Sequence, residues 1–385
     1  MANPFTLKVV PPGRAFCNRV REMGDLLSYA ENNVNVVLFS PRRYGKTSLV
    51  KKVQTELENK GYLTVYVDFF GLVSTDDIAT RVAGSVYGVL HPRRSLWKKA
   101  LAAFKTLRPV IRQTEDGGIV ISIEPVSSGI SGIELLDKTM EELGRFIRET
   151  PGGLHLVFDE FQEITELKDS RIEGVLRKHI QEQQASYFFV GSRRRILLGM
   201  FTERRRPFFQ SALLYKLGRL PHDELSDFLA LRFRGAGKEC SSGIAEKISL
   251  KVRQHPYYAQ KLAFHVFEMS GTTVHEKDVE KAFCSLLEGE KVVFEAVLQG
   301  LAPGQIALVR ALAKEPSSSM LSAEYMKKHD LKSVGGVQSA LNKLSRLDLI
   351  EKGDGGVWRV VDPVFRDFLV AASRANVPRS RYVPS

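Results

Sequence analysis

Ser40-Pro41-Arg42-Arg43-Tyr44-Gly45-Lys46-Thr47-Ser48 follows a short apolar run, Asn35-Val36-Val37-Leu38-Phe39, and leads into a stretch with helical spacing. An apolar run ending in a Pro/Gly loop reads as a buried parallel strand. From Ser48 to Lys60 the residues Leu49, Val53 and Leu57 fall on one helical face, and Gly61 is a helix stop. Strand, turn and helix in that order make Gly45-Lys46-Thr47 a credible phosphate-gripping loop. Backbone N–H groups of the turn and of the helix N-terminus form a concave nest for phosphate oxygens. Lys46 is expected to reach the β- and γ-phosphates, and the Thr47 hydroxyl to hold Mg²⁺. Gly45 permits torsions or a close approach that a Cβ would oppose. The first glycine of the pattern G-x-x-x-x-G-K-S/T is Ser40 here, a residue small enough to begin the turn.

Outward from this loop, Leu63–Asp68 reads as the next strand and Thr75–Leu90 as a helix opened by Ser74 or Thr75. The segment of about 91–132 breaks the rhythm. Its first half, to Arg112, carries seven Lys and Arg and no acid, and its second half contains strand material after Asp116-Gly117-Gly118. It reads as an insertion, a basic helix plus a hairpin, whose charge either is solvated or meets a polyanion. Helix 134–149, strand 154–158, helix 171–184, strand 187–190 and strand 212–217 then resume the alternation. Such alternation means an α/β fold with a parallel sheet covered by helices on both faces.

The second half of the chemistry is expected at Leu154-His155-Leu156-Val157-Phe158-Asp159-Glu160. An apolar strand that ends in two carboxylates delivers them to the C-terminal edge of the sheet, beside the phosphate loop. There Asp159 supports Mg²⁺ through water and Glu160 orients the attacking water as a general base. Ser192, at the end of the following strand, is placed to sense the γ-phosphate. Arg193-Arg194-Arg195 and Arg204-Arg205-Arg206 follow, either as phosphate-binding or solvated patches or as a source of a finger that stabilises transition-state charge. Arg206 is the candidate for such a finger, acting on a neighbouring subunit in a homo-oligomer formed on ATP binding.

With loop, Asp-Glu and sensor strand in this order, the chain resembles the archaeal-type ATPase family within the AAA+/STAND branch of P-loop NTPases. Phe16-Cys17-Asn18-Arg19-Val20-Arg21-Glu22 is similar to the family's opening motif, and Pro41 to Leu49 to its P-R-R-x-G-K-S/T-S-L loop. Gln254-His255-Pro256-Tyr257-Tyr258 is similar to a G-H-P-Y-Y stretch in the helical lid, with Gln254 in the glycine's place. The resemblance implies an ATPase core (1–218), a helical lid (219–290), a winged-helix domain (291–372) and a basic tail (373–385). It also implies adenine beside Phe16 and Arg19, and nucleotide contact by His255 and Pro256.

The C-terminal region supports both DNA contact and other roles. Val337, Leu341, Leu344 and Leu347 fall on one helical face, and Leu349–Val361 reads as a hairpin turning at Gly353–Gly356. A third helix followed by a wing can enter the major groove of double-stranded DNA. Residues 301–385 hold 13 Lys and Arg against 8 Asp and Glu, so a clamp on the nucleotide domain or a protein-docking role also fits.

Composition sets outer limits. A chain of 385 residues with 43% hydrophobic residues suits two or three soluble domains, and its +12 charge and pI near 9.5 favour a polyanion. No apolar run approaches ~18 residues, and no signal-peptide pattern stands in the first thirty. Cys17, Cys240 and Cys284 lie far apart and the eight histidines form no ligand pair, so a cytoplasmic protein with reduced thiols is expected. The leading expectation is an ATP- and Mg²⁺-dependent ATPase switch. Its rival is a nucleotide-regulated DNA-binding protein with little turnover.

Overall fold

A computed structural model describes residues 2–7, 17, 19–90, 94–113, 119–126 and 129–375. The chain divides into two compact units, one of residues 9–218 and one joining 1–8 to 219–385.

In the first unit α1 (Val20–Glu31) precedes β1 (Val36–Phe39), and α2 (Lys46–Asn59), β2 (Leu63–Asp68) and α3 (Thr75–Leu90) follow. After α4 (Arg94–Ala103), β3 (Leu107–Gln113) and β4 (Ile119–Pro125), the alternation continues with α5 (Gly132–Glu149) and β5 (Leu154–Asp159). A short 3₁₀ segment (Phe161–Leu167), α6 (Arg171–Glu182), β6 (Ser186–Gly191), α7 (Arg194–Thr202) and β7 (Leu213–Lys216) complete it. Five strands form a parallel sheet in the order β2-β5-β6-β1-β7. The loops after β1, β5 and β6 therefore leave one edge of the sheet side by side. Register places Phe39 opposite Gly191 and Asp68 opposite Asp159.

Strand periodicity divides the core between the two faces. Phe188 and Val190 of β6 join Leu26, Leu49, Val53 and Leu57 beneath α1 and α2. Tyr187 and Phe189 face the opposite way, toward α3, α5, α6 and α7. There Phe161, Phe189, Phe201 and Phe208 pack with ring centroids 4.6–6.2 Å apart, which fixes the chain just after Glu160.

The basic insertion is a helix, α4, plus a hairpin, in which Leu107–Gln113 pairs antiparallel with Ile119–Pro125. Pro109 would break a helix interior and Val110-Ile111 suit a strand. Ala100, Ala103, Phe104 and Leu107 are buried, and the Trp97 ring lies 5.3 Å from Tyr87. Glu142 Oε1 accepts the N–H groups of Lys105 (2.9 Å) and Thr106 (3.0 Å), tying the corner between α4 and β3 to α5. The turn at 114–118 and Arg93 lie outside the described residues.

The second unit is helical, with α8 (His222–Gly235), α9 (Ser242–Lys251), α10 (Pro256–Met269) and α11 (Glu276–Gln299). It continues through α12 (Pro303–Lys314), α13 (Ala323–Lys328), α14 (Val334–Arg346), β8 (Ile350–Lys352), β9 (Trp358–Val360) and α15 (Pro363–Ala375). Asn3 and Phe5 pack here, the Phe5 ring 4.8 Å from Phe233 and Asn3 Nδ2 donating to Phe264 O at 3.2 Å. On α14, Val337, Leu341 and Leu344 are buried while Gln338, Ser339, Asn342, Lys343 and Arg346 are exposed. Leu347, expected on the buried face, lies past the end of α14 and is 46% exposed. The closing helix α15 was not anticipated. Asp362 begins it by accepting the N–H groups of Val364 and Phe365, each at 2.9 Å. Residues 376–385 of the expected tail lie outside the described residues. Among the described residues no helix is long and apolar enough to cross a membrane.

Candidate active site

Between β1 and α2 the backbone turns through the left-handed region twice, at Arg43 (φ 65°) and Gly45 (φ 85°). Alternating handedness of this kind turns successive amides toward one point, forming an anion nest. A Cβ on Gly45 would meet open space, so glycine answers the torsion there and not crowding. The amides of Lys46 and Thr47 stand in the first turn of α2, with no carbonyl one turn back to receive them.

Lys46 is 7% exposed, and its ammonium donates to Ser40 O (3.1 Å), Pro41 O (3.1 Å) and Ser40 Oγ (3.3 Å). The serine at the missing-glycine position thus supplies an acceptor for the loop lysine. Burial pushes the Lys46 pKa down to about 8, against the upward pull of Glu160 and Asp159. Arg42, Tyr44 and Ser48 flank this core of the loop, Arg42 exposed and Tyr44 and Ser48 buried.

The two carboxylates stand beside it. Thr47 Oγ1 donates to Asp159 Oδ2 at 3.0 Å, and Tyr66 from β2 donates to the same oxygen. Asp159 Oδ1 accepts the Glu160 N–H at 2.9 Å. Burial raises the Asp159 pKa, with the Tyr66 hydrogen bond opposing it. Glu160 occupies the left-handed region (φ 50°), and its Oε2 accepts from Ser192 Oγ (3.1 Å), Ser192 N (3.4 Å) and Gln162 Nε2. Lys46, Thr47, Asp159, Glu160 and Ser192 are thereby brought to one edge of the sheet.

The remaining expected residues have the following surroundings. Arg19 is 3% exposed and turned to the scaffold, with Nη2 donating to Tyr44 O (3.2 Å) and Gly218 O (3.0 Å) and Nη1 paired with Glu22 at 2.7 Å. Arg206 pairs with Glu173 of the same chain, Nε to Oε2 at 3.1 Å. Arg193 is held by Glu163 and Glu166. His255 and Pro256 belong to the second unit, at the N-terminus of α10, with the His255 ring 4.8 Å from Tyr258. Arg253 and Gln254, just before them, both have left-handed torsions (φ 51° and 55°). Phe16 lies outside the described residues.

Sequence reading missed Tyr66 and Gln162. Tyr66 gives no signal, since any β2 residue two before Asp68 reads as strand. Gln162 is a polar residue in an aromatic stretch, and its 0% exposure shows only in the fold.

The donor set fits a nucleotide with Mg²⁺. Among the described residues no group of three or more His, Cys, Asp or Glu could hold a metal by itself. A Thr hydroxyl bonded to one carboxylate suits a hard cation that keeps its waters and arrives on phosphates. Lys46, Thr47 and the nest amides would hold the phosphates, and Thr47 with Asp159 the cation.

Residues 16–192 match a family described as an ATPase domain predominantly from Archaea, and residues 292–371 match a probable winged helix domain. A Walker-type ATPase of Pyrococcus abyssi is similar in structure, with a TM-score of 0.69 and 16% identity over 95% of this chain and 99% of that one. The ORC2 protein of Aeropyrum pernix, solved as ADPNP–ADP complexes, gives a TM-score of 0.58 and 16% identity over 97% and 98%. No curated protein matches in sequence. The parallel sheet, its loop and the winged helix agree with these matches: residues 16–192 form an ATPase-type P-loop domain like those found predominantly in Archaea, and residues 292–371 a winged helix domain.

Proposed function

We propose that this protein binds ATP with Mg²⁺ and hydrolyses it, Glu160 acting as the base for the attacking water. The observation that carries this reading is the Glu160 carboxylate, fixed by Ser192 and Gln162 beside the Thr47–Asp159 pair. Bound Mg²⁺ supplies neutralisation of charge on the phosphoryl group. Lys46 leaves the Ser40 and Pro41 carbonyls to meet the phosphates, and Thr47 and Asp159 orient the cation. Glu160 accepts the proton of the attacking water. The similar ORC2 structure contains ADPNP and ADP, the same class of ligand. The resemblance to archaeal-type ATPases supports adenine as the base.

The nucleotide state is read out through the winged helix domain. Its α14 exposes Gln338, Ser339, Asn342, Lys343 and Arg346 on one face, a set that suits duplex DNA through phosphates and base edges. That face also favours the second reading, a DNA-binding module with little turnover. ATP turnover of the wild type, Lys46→Ala and Glu160→Gln, each with and without duplex DNA at low salt, separates the two. A wild type no faster than Lys46→Ala in every condition removes the enzyme. DNA that alters neither turnover nor electrophoretic mobility removes the DNA reading, because phosphate contacts are strongest at low salt.

A further inference from the structure

Gln162 is fully buried, yet only one end of its amide is used. Nε2 donates to Glu160 Oε2, while Oε1 is buried with no hydrogen-bond partner among the described residues. An orphaned buried acceptor is costly to fold around, so something must offset it. The amide cannot be turned round, because Oε1 would then face a carboxylate oxygen with no proton between them. Chemistry therefore commits the donor end to Glu160.

The same carboxylate is loaded unevenly. Oε2 accepts three donors, Gln162 Nε2, Ser192 Oγ and Ser192 N, while no described residue donates to Oε1. Three donors on one oxygen stop the carboxylate from rotating and leave the other oxygen as the acceptor available to a water. Two features of the fold hold Gln162 in place for this. Phe161 beside it is locked in the aromatic cluster, its ring 4.6 Å from Phe189. On the other side is Gly191, where a Cβ would lie 1.9 Å from Gln162 Oε1, so only glycine leaves room for the amide.

We propose that Gln162 is a positioning residue for ATP hydrolysis, locking Glu160 so that Oε1 faces the attacking water, with Gly191 keeping the space it needs. This rests on the reading of Glu160 as the base. Gln162 touches neither nucleotide nor water in this scheme and acts only through Glu160.

The test uses the full chain with Mg²⁺ and ATP, and compares Gln162→Met, Gln162→Glu and Gly191→Ala with wild type and with Glu160→Gln. Thermal melting and binding of a fluorescent ATP analogue establish that each variant is folded. Gln162→Met keeps the volume and loses the donor, and it should lower kcat about 10- to 100-fold with KM for ATP within about 2-fold. Gln162→Glu should lose at least as much, and Gly191→Ala should fall in the same direction with KM unchanged. Placed on Glu160→Gln, Gln162→Met should cause no further loss, since both act through one group. A kcat within about 2-fold of wild type for Gln162→Met, a loss carried by KM, or losses that multiply in the double variant overturn the proposal. An inactive Glu160→Gln with a fully active Gln162→Met removes the positioning role alone. A fully active Glu160→Gln removes the base and the positioning role together. Should Gln162→Met fail to fold, Gln162→Glu and Gly191→Ala decide by the same criteria.

Discussion

Each unit of the molecule holds an aspartate on a tyrosine hydroxyl, Tyr66 on the buried Asp159 in the first and Tyr258 on the half-buried Asp362 (2.6 Å) in the second. Burial raises the pKa of both carboxyls, and in both the tyrosine bond opposes the rise. Their remaining donors differ. Asp362 spends its other oxygen on two backbone N–H groups that open α15, and those donors cannot leave without unwinding a helix. Asp159 gives its other oxygen to the single N–H of Glu160 and shares the tyrosine-bonded oxygen with a threonine hydroxyl, which can rotate toward a cation at little cost. One geometry makes a rivet and the other an exchangeable socket, and the chemistry of the second donor decides which.

This contrast gives its clearest signal in paired variants. Asp159→Asn should cut ATP turnover by about 100-fold or more while leaving the melting temperature near wild type. Asp362→Ala should do the reverse, costing about 1–3 kcal/mol in denaturant unfolding through the lost cap and tyrosine bond. If Asp362→Ala removes turnover at full stability, the rivet is misassigned.

A second measurement concerns the cation already in the socket's loop. Free Lys46 is held near 8 by burial, so its charged fraction falls as pH rises through that value. Phosphate oxygens favour the ammonium, so ATP affinity should weaken above pH 8 by up to about tenfold per pH unit. Calorimetry in buffers of different ionisation heat should show proton uptake on binding at pH 8.5. Affinity that stays flat to pH 9.5 would mean that the lysine is already solvated in the free protein.

The smallest effect lies beside the rivet. Gln254, with φ 55°, stands where the similar G-H-P-Y-Y stretch carries glycine. Gln254→Gly relieves a left-handed side chain and adds unfolded-chain entropy, a net gain of about 0.5–1 kcal/mol in unfolding experiments. A loss instead would show that the glutamine side chain holds the turn.

Much of the first unit was legible because its signals are local. Thr75–Leu90 and Leu63–Asp68 match their expected bounds, since an N-terminal cap and an alternating apolar run fix each from nearby residues. Gly45-Lys46-Thr47 and Asp159-Glu160 meet at the sheet edge because parallel order forces the ends of β1 and β5 to one side. What stayed hidden depends on contacts far apart in sequence. Arg19 carries the family's motif but is bonded to carbonyls of Tyr44 and Gly218, which no spacing rule could link. Arg206 meets Glu173 across 33 positions, a pairing that no local spacing reveals. His155, one of eight histidines, sits in the core bonded to Ser186 at 2.7 Å, with burial pushing its pKa down to about 3. The helix α15 was missed because its start is a single Asp-Pro step, which reads equally well as a turn.

The longest helix, α11, has a mechanical consequence. It runs unbroken through residue 290, where the lid was expected to give way to the winged helix domain. Lys261 of α10 pairs with Glu290 near its middle, and Phe294 packs 5.1 Å from Phe365 of α15 toward its end. A 24-residue helix is about 36 Å long at 1.5 Å per residue. A tilt of about 10° at one end therefore sweeps the other by about 6 Å, roughly the rise of one helical turn. The helix is thus a lever arm without a joint: an adjustment at one of its ends becomes a displacement of about one turn at the other.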